Sequence, residues 1–386
     1  MGEIENIIVL DRPSGVTSEI PTPEQLQKNH KVAFVSATHF PGYAADMTQH
    51  QEDKTISDNE RGIAALENLE ELLKQGFRMI IVNNSTQDEF YQKLLLLLQQ
   101  HHPLLELKIE DEKGKYSGLT GAKRRGLEFA AQSKGVKIIV EFELEKKLSQ
   151  EDMDNCLRLL REGKAKLVIP NRGDLEGYPL TQRALEQRTN QELNDAAKKA
   201  GFLRDPELPN QNQNVPEELD WCGGFRFFVN DEDTVRLFKT QYALQGELAT
   251  RKVLNEQGVE ESINPKKWYD TLYGPVVEML YKWKVYRRSP LRLLGKEPVV
   301  MSVPIHYEHH QSSVEEGSDF FNKKRERQFG QIVEIVKRHI NQLNIQDNVR
   351  RIMPLVSVLA AITIFSAGGI PPEIPVPPEP EVVAIG

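Results

Sequence analysis

The stretch KIIVEFELEKK, Lys137 to Lys147, ends an apolar run in three alternating acids, Glu141, Glu143 and Glu145. If the strand continues to its end, Glu143 and Glu145 face one way and Leu144 the other. Carboxylates held that close repel unless a cation or a proton lies between them. Hard oxygen ligands of this kind suit Mg²⁺ or Mn²⁺, which can bridge to phosphates. The plainer alternative is a solvated strand end whose charge is incidental, with Lys146 and Lys147 next door. A second candidate precedes it. Gly118, Gly121, Arg124 and Arg125 lie in the first turns of a helix beginning near Ser117, and a helix N-terminus with nearby bases suits a diphosphate; the same arginines would also serve as an exposed basic face. In LDWCGGF, Gly223 and Gly224 let the backbone approach a ligand and Trp221 can pack on an apolar face of it, or the three form a tight turn beside a buried aromatic.

These groups need a frame, and the chain supplies one. From Lys31 onward short β-branched runs alternate with helical patterns, the habit of a mostly parallel, Rossmann-like α/β sheet flanked by helices. KVAFVSA (Lys31 to Ala37), FRMIIVN (Phe77 to Asn83), LLELKI (Leu104 to Ile109), VKIIVEF and KLVIP (Lys166 to Pro170) read as strands. Ser57 with Glu60 marks one helix start and Ser149 with Asp152 another; further helices are expected over Asp88 to Gln100 and Ser117 to Ser133. Ligands of such sheets sit at the carboxyl ends of the strands, where Glu143 and Glu145 fall. Ser318 to Leu343 reads as a long amphipathic C-terminal helix with Phe321, Phe329, Ile332, Ile335 and Val336 inward.

Composition bounds the partners. The 386 residues carry 57 acids against 49 bases, a formal charge of −8, which argues against nucleic-acid binding. Two cysteines, Cys156 and Cys222, exclude a disulfide framework and fit a reducing, cytoplasmic setting. The opening MGEIENIIVLDRPSG has acids where a secretory signal has bases. Near the other end, Ile352 to Ile370 is uncharged and follows Arg350 and Arg351; it reads as a membrane contact or as a buried helix or strand pair. A proline-rich tail follows. The expected organisation is an N-terminal extension over 1–30, a main domain over 31–310 with an insertion at about 259–298, a helix over 311–350, and the apolar segment and tail over 351–386. The insertion, rich in tyrosine, tryptophan and lysine, either lines an acceptor site or membrane surface or packs a helix on the domain.

Five stretches in order resemble family 2 glycosyltransferases of the GT-A fold. RMIIVNNSTQDEF resembles the segment ending the family's second strand. KYSGLTGAKRRGLEFA resembles its helix start, and Glu143-Leu144-Glu145 stands where the family has Asp-x-Asp. LDWCGGFRFFVNDEDTVRLF and QGELATRKVLNEQG resemble its later segments. The resemblance spans about Lys31 to Tyr307. It implies one GT-A domain moving a sugar from a nucleotide-diphosphate sugar to an unidentified acceptor, with Mg²⁺ or Mn²⁺. It puts Ala37, Asn84, Asp88, Gly118, Arg124, Arg125 and Glu143 on the nucleotide sugar, Trp221, Gly223 and Gly224 on the sugar or acceptor, and Glu145, Glu143 and His306 on the metal, with His309 and His310 beside it. Glu247 becomes the carboxylate that takes the acceptor proton, or one end of an ion pair with Arg251 nearby. The chain departs from the family at ATHFPGY (Ala37 to Tyr43) and at Asn83 and Asn84, which replace aspartates. A non-catalytic sugar-nucleotide binding or scaffold protein of the same fold is the alternative. Nucleotidyl transfer ranks last, because ATHFPGY lacks a basic residue.

Overall fold

The computed structural model describes residues 22–38, 40, 53–83, 89–109, 118–173, 175, 178–208, 214–240, 242, 251–254, 260–263, 269–288, 297, 299–307 and 319–366. In chain order the elements are α1 (Pro23–Asn29), β1 (Val32–Ala37), α2 (Asp53–Lys74), β2 (Arg78–Asn83), α3 (Glu89–His101), β3 (Leu105–Ile109), α4 (Gly118–Gln132), β4 (Ile138–Glu141), α5 (Gln150–Arg161) and β5 (Leu167–Asn171). The second half continues with α6 (Leu180–Lys199), β6 (Arg226–Val229), α7 (Glu232–Lys239), β7 (Arg251–Leu254), β8 (Glu260–Ile263), a π-helical turn (Tyr269–Tyr273), α8 (Gly274–Arg288), β9 (Val300–Pro304) and α9 (Asp319–Ser366).

Seven strands form one sheet in the order β3-β2-β1-β4-β6-β5-β9, with β7 and β8 as a separate antiparallel pair. Only β6 runs against its neighbours; the other strands of the large sheet are parallel. β1 is buried along its whole length, as a strand covered on both faces must be. Side-chain alternation divides the core in two. Phe34, Met79, Ile81, Val140 and Phe227 point to one face, beneath Leu69 and Leu72 of α2, Tyr91 and Leu95 of α3, and Met153 and Leu157 of α5. Burying each such large apolar side chain contributes roughly 1.5–3 kcal/mol. The other face takes α4 and α7. Phe228 stacks on Phe238 of α7 with ring centroids 3.9 Å apart. α4 comes down where Gly126 meets β1 and β2; a Cβ there would lie 2.5 Å from Val35 Cγ1 and 3.3 Å from Val82 Cγ2. Glycine is what permits this approach.

Several expectations need correction. α2 starts at Asp53, so Ser57 lies inside the helix and does not cap it. Ser149 does cap α5, accepting from the Asp152 amide at 3.1 Å. β4 ends at Glu141, so Glu143 and Glu145 do not alternate along a strand. β9 ends at Pro304, which leaves His306 beyond the strand. Within the insertion, α8 buries Val276, Val277, Met279, Leu280 and Trp283, so this stretch packs a helix onto the domain. α9 runs past Leu343 as far as Ser366; Phe329, Ile332, Ile335 and Val336 are buried as expected, whereas the side chain of Phe321 lies outside the described residues. Residues 1–340 form one unit and 341–386 a second, helical through Ser366. Among the described residues no helix is long and apolar enough to cross a membrane.

Candidate functional site

β1, β2 and β4 are parallel, so their carboxyl ends share one edge, and β6 begins there because it runs the other way, with Arg226 opposite Glu141. At this edge the chain after β4 leaves the sheet in a tight turn. The Phe142 amide still donates to the Val35 carbonyl at 3.2 Å, and Ser36 Oγ donates to the Phe142 carbonyl at 3.0 Å. Then the Lys146 amide donates back to the Glu143 carbonyl at 2.9 Å. The buried Asn68 amide of α2 clamps the turn, donating to the carbonyls of Leu144 and Lys146, each at 2.8 Å, while Leu144 plugs into the core. The two acids take different partners. Glu143 pairs with Lys146 Nζ at 2.6 Å, and Glu145 with Arg61 Nη2 of α2 at 2.5 Å. Burial opposes ionisation of Glu143, but the charges of Lys146, Lys123 and Arg325 outweigh it and hold the carboxyl well below the usual range. Burial likewise opposes the charge on Lys146, and Glu143 overcomes it.

Facing this turn is the loop entering β6. Asn194 of α6 accepts from the Leu219 amide at 3.0 Å and from Trp221 Nε1 at 2.8 Å; Asn190 accepts from the Trp221 amide at 2.9 Å. Asp220 accepts from Arg172 Nε at 2.5 Å and Nη2 at 3.0 Å, from Asn190 Nδ2 at 3.0 Å and from the Gly223 amide at 3.0 Å. Arg172 also donates to Glu186 at 2.9 Å and Tyr178 at 2.6 Å, and its guanidinium lies 5.9 Å from the Tyr307 ring centroid. These bonds fix Gly224 against the Glu143–Lys146 pair: a Cβ on it would stand 3.5 Å from both Glu143 Cδ and Lys146 Nζ. Trp221 is fully covered, so its indole packs in the interior.

α4 approaches from the other face. Lys123 and Arg124 are both buried; Lys123 Nζ lies 3.3 Å from Glu141, and Arg124 3.7 Å from Asp270 of the π-helical turn. Among the described residues neither carboxylate oxygen of Glu141 accepts a hydrogen bond, and its contact with Lys123 is an ion pair. Arg125 pairs with Glu128 at 3.0 Å and stacks its guanidinium 4.4 Å over Phe129. Gly118 opens the helix. Ala37 ends β1; just past it Thr38 Oγ1 accepts from Asn83 Nδ2 at 3.1 Å, and Asn83 accepts from Gln92 at 2.9 Å.

The structure thus brings Glu143 and Gly224 together, with Gly223 and Trp221 in the loop behind. It does not bring Glu145 to Glu143's partner, and His306 is exposed, with its backbone amide 3.1 Å from Asp152. Asn84, Asp88 and Glu247 lie outside the described residues, as do His309 and His310. The groups that sequence reasoning passed over are Lys146, Lys123, Glu141, Arg172 and Asp220. For Glu141 the signal was charge in apolar company: Glu141 in IIVE and Arg226 in RFFV sit in register as one buried charged pair of positions.

A divalent ion would meet carboxylates that are already paired, Glu143 with Lys146 and Glu145 with Arg61. Each carboxylate would have to give up the cation it holds, and among the described residues no three His, Cys, Asp or Glu side chains gather as a metal cluster.

No protein-family model and no curated protein matches the chain. Among solved structures, S. aureus TarS (residues 1–349) is 12% identical, with a TM-score of 0.26 over 39% of this chain and 37% of that one, little more than a third of its length. A protein of Desulfovibrio desulfuricans G20, provisionally described as a nucleotide-diphospho-sugar transferase, is 11% identical, with a TM-score of 0.35 over 79% of this chain and 98% of that one.

Proposed function

We propose that the chain is a glycosyltransferase that moves a sugar from a nucleotide-diphosphate sugar to an acceptor hydroxyl at the carboxyl edge of the sheet. One observation carries this reading. Segments scattered from Arg78 to Arg226 that resemble successive family motifs reach a single edge, beside the end of β1: the end of β2, the turn after β4, and the loop entering β6. In the transfer, the acceptor oxygen forms a bond to the anomeric carbon while the bond from that carbon to the diphosphate breaks. The leaving diphosphate takes the electron pair and the acceptor proton goes to a carboxylate, a role the resemblance gives to Glu247. The turn and loop would bind and orient the donor, the part of the barrier lowered by fixed geometry. Calorimetric titration with UDP-, GDP-, ADP- and dTDP-sugars tests it. Saturable binding of one of them, tighter than that of the matching nucleoside monophosphate, is expected; equal or absent binding across the panel would refute it.

One feature favours a second reading, a non-catalytic sugar-nucleotide binding protein of the same fold: both acids of the turn are already neutralised by Lys146 and Arg61. It predicts the same binding with no release of nucleoside diphosphate from the bound sugar nucleotide.

A further inference from the structure

A diphosphate bound at this edge needs a counter-charge. An ion bound by Glu143 would have to displace Lys146 from a 2.6 Å contact in a place where Lys123 and Arg325 also add positive charge. An anion needs no such displacement. An ammonium group has three donors; among the described residues Glu143 engages Lys146 Nζ, and the side chain remains 24% exposed. The phenols of Tyr178 and Tyr307 lie in the electrostatic reach of Lys146, and the Gly224 backbone packs beside the Glu143–Lys146 pair, where an added Cβ would stand 3.5 Å from Lys146 Nζ. Behind it, Asn68 holds the Lys146 carbonyl, so the ammonium projects from a fixed backbone. We propose that Lys146, oriented by Glu143 and flanked by Gly224, binds the diphosphate of a nucleoside diphosphate in the place of a divalent ion, so that nucleotide binding by this chain is independent of metal. This rests on the reading of the edge as a donor site and names the group that holds the diphosphate.

The two carboxylate roles predict opposite signs for one variant. If Glu143 only orients Lys146, Glu143→Gln frees the ammonium for phosphate and binding is retained or tightened. If Glu143 ligates a metal, the same change abolishes binding. The test is calorimetric titration of the full chain with UDP, GDP, ADP and dTDP, in EDTA and in Mn²⁺. The expected result is equal affinity in both buffers for the preferred nucleotide and a loss on the order of tenfold or more in Lys146→Met, the scale of a lost charge-assisted hydrogen bond. Lys146→Arg should recover part of it. Lys147→Ala, altering an exposed neighbour paired with Glu71, should change nothing. Circular dichroism establishes that each variant is folded; Lys146→Met keeps the aliphatic stem, and Glu143→Gln gives an independent readout. Binding that appears only with Mn²⁺ and disappears in Glu143→Gln overturns the role of Lys146 while leaving the donor site standing. No saturable binding of any of the four nucleotides in either buffer overturns both.

Discussion

Asp220 is the joint on which the loop over the turn depends, and its removal should be costly in a way that depends on pH. The carboxylate is 2% exposed and takes both Nε and Nη2 of Arg172, which is itself buried. Asp220→Asn keeps the shape but leaves that guanidinium short of a counter-charge. Breaking a buried pair from one side costs about 3–5 kcal/mol; because Glu186 still holds Arg172 at 2.9 Å, the lower end, about 3 kcal/mol, is expected near neutral pH. Burial alone would raise the Asp220 carboxyl, but Arg172 beside it pulls it from 3.8 down to about 2. The folded value lies below the unfolded one, so the stabilisation is full above the unfolded value and is lost as pH falls through the folded one. The shift corresponds to about 2 kcal/mol, of which about half is gone by pH 3. Urea unfolding followed by tryptophan fluorescence, with buried Trp221 next in sequence, should show the variant less stable at pH 7 and the gap narrowing by about 1 kcal/mol between pH 6 and pH 3. A loss below about 1 kcal/mol at pH 7, or a gap that stays constant on acidification, refutes the argument.

Two further stability predictions use other parts of the frame. Gly126→Ala drives a Cβ to 2.5 Å from Val35 and should destabilise by about 1–3 kcal/mol, whereas Gly330→Ala, on α9 with nothing among the described residues within 4 Å of the added atom, should stabilise by up to about 1 kcal/mol; urea midpoints of opposite sign are the check. Lys123→Met should cost about 3 kcal/mol by stranding Glu141 beneath α4, and the double variant Lys123→Met/Glu141→Leu should recover most of that; a double variant no better than the single one would place the cost outside this pair.

The parallel half of the fold was legible because its signals are local. VAFVSA, RMIIVN and LELKI are apolar, β-branched runs, each bounded within a residue of the observed strand, and Ser149 announced α5 through its own hydroxyl. The C-terminal half was harder. β6 is four residues long and pairs antiparallel between β4 and β5, a partnership set by contacts far apart in sequence. α6 hides its inward face behind polar residues: Gln182, Glu186 and Asn194 are buried because they serve Arg172 and the loop at Leu219, so a hydrophobic period cannot reveal it. At the site, Glu143 was found by its alternation with Glu145, yet the alternation itself misled. The chain turns at Glu143 because Leu144 enters the core and Asn68, more than seventy residues earlier, takes two of its carbonyls. Lys146 looked like an incidental neighbour, and only the turn makes it the partner of Glu143.

The most direct measurement of the central claim, that the turn after β4 and the loop entering β6 hold the nucleotide sugar, is amide hydrogen exchange of the full chain with and without a saturating nucleotide-diphosphate sugar. Slowed exchange is predicted in peptides covering 142–149 and 219–226, with the amino ends of the parallel strands unchanged. Bound ligand that leaves both peptides unaltered, or protects the opposite edge of the sheet instead, would contradict it.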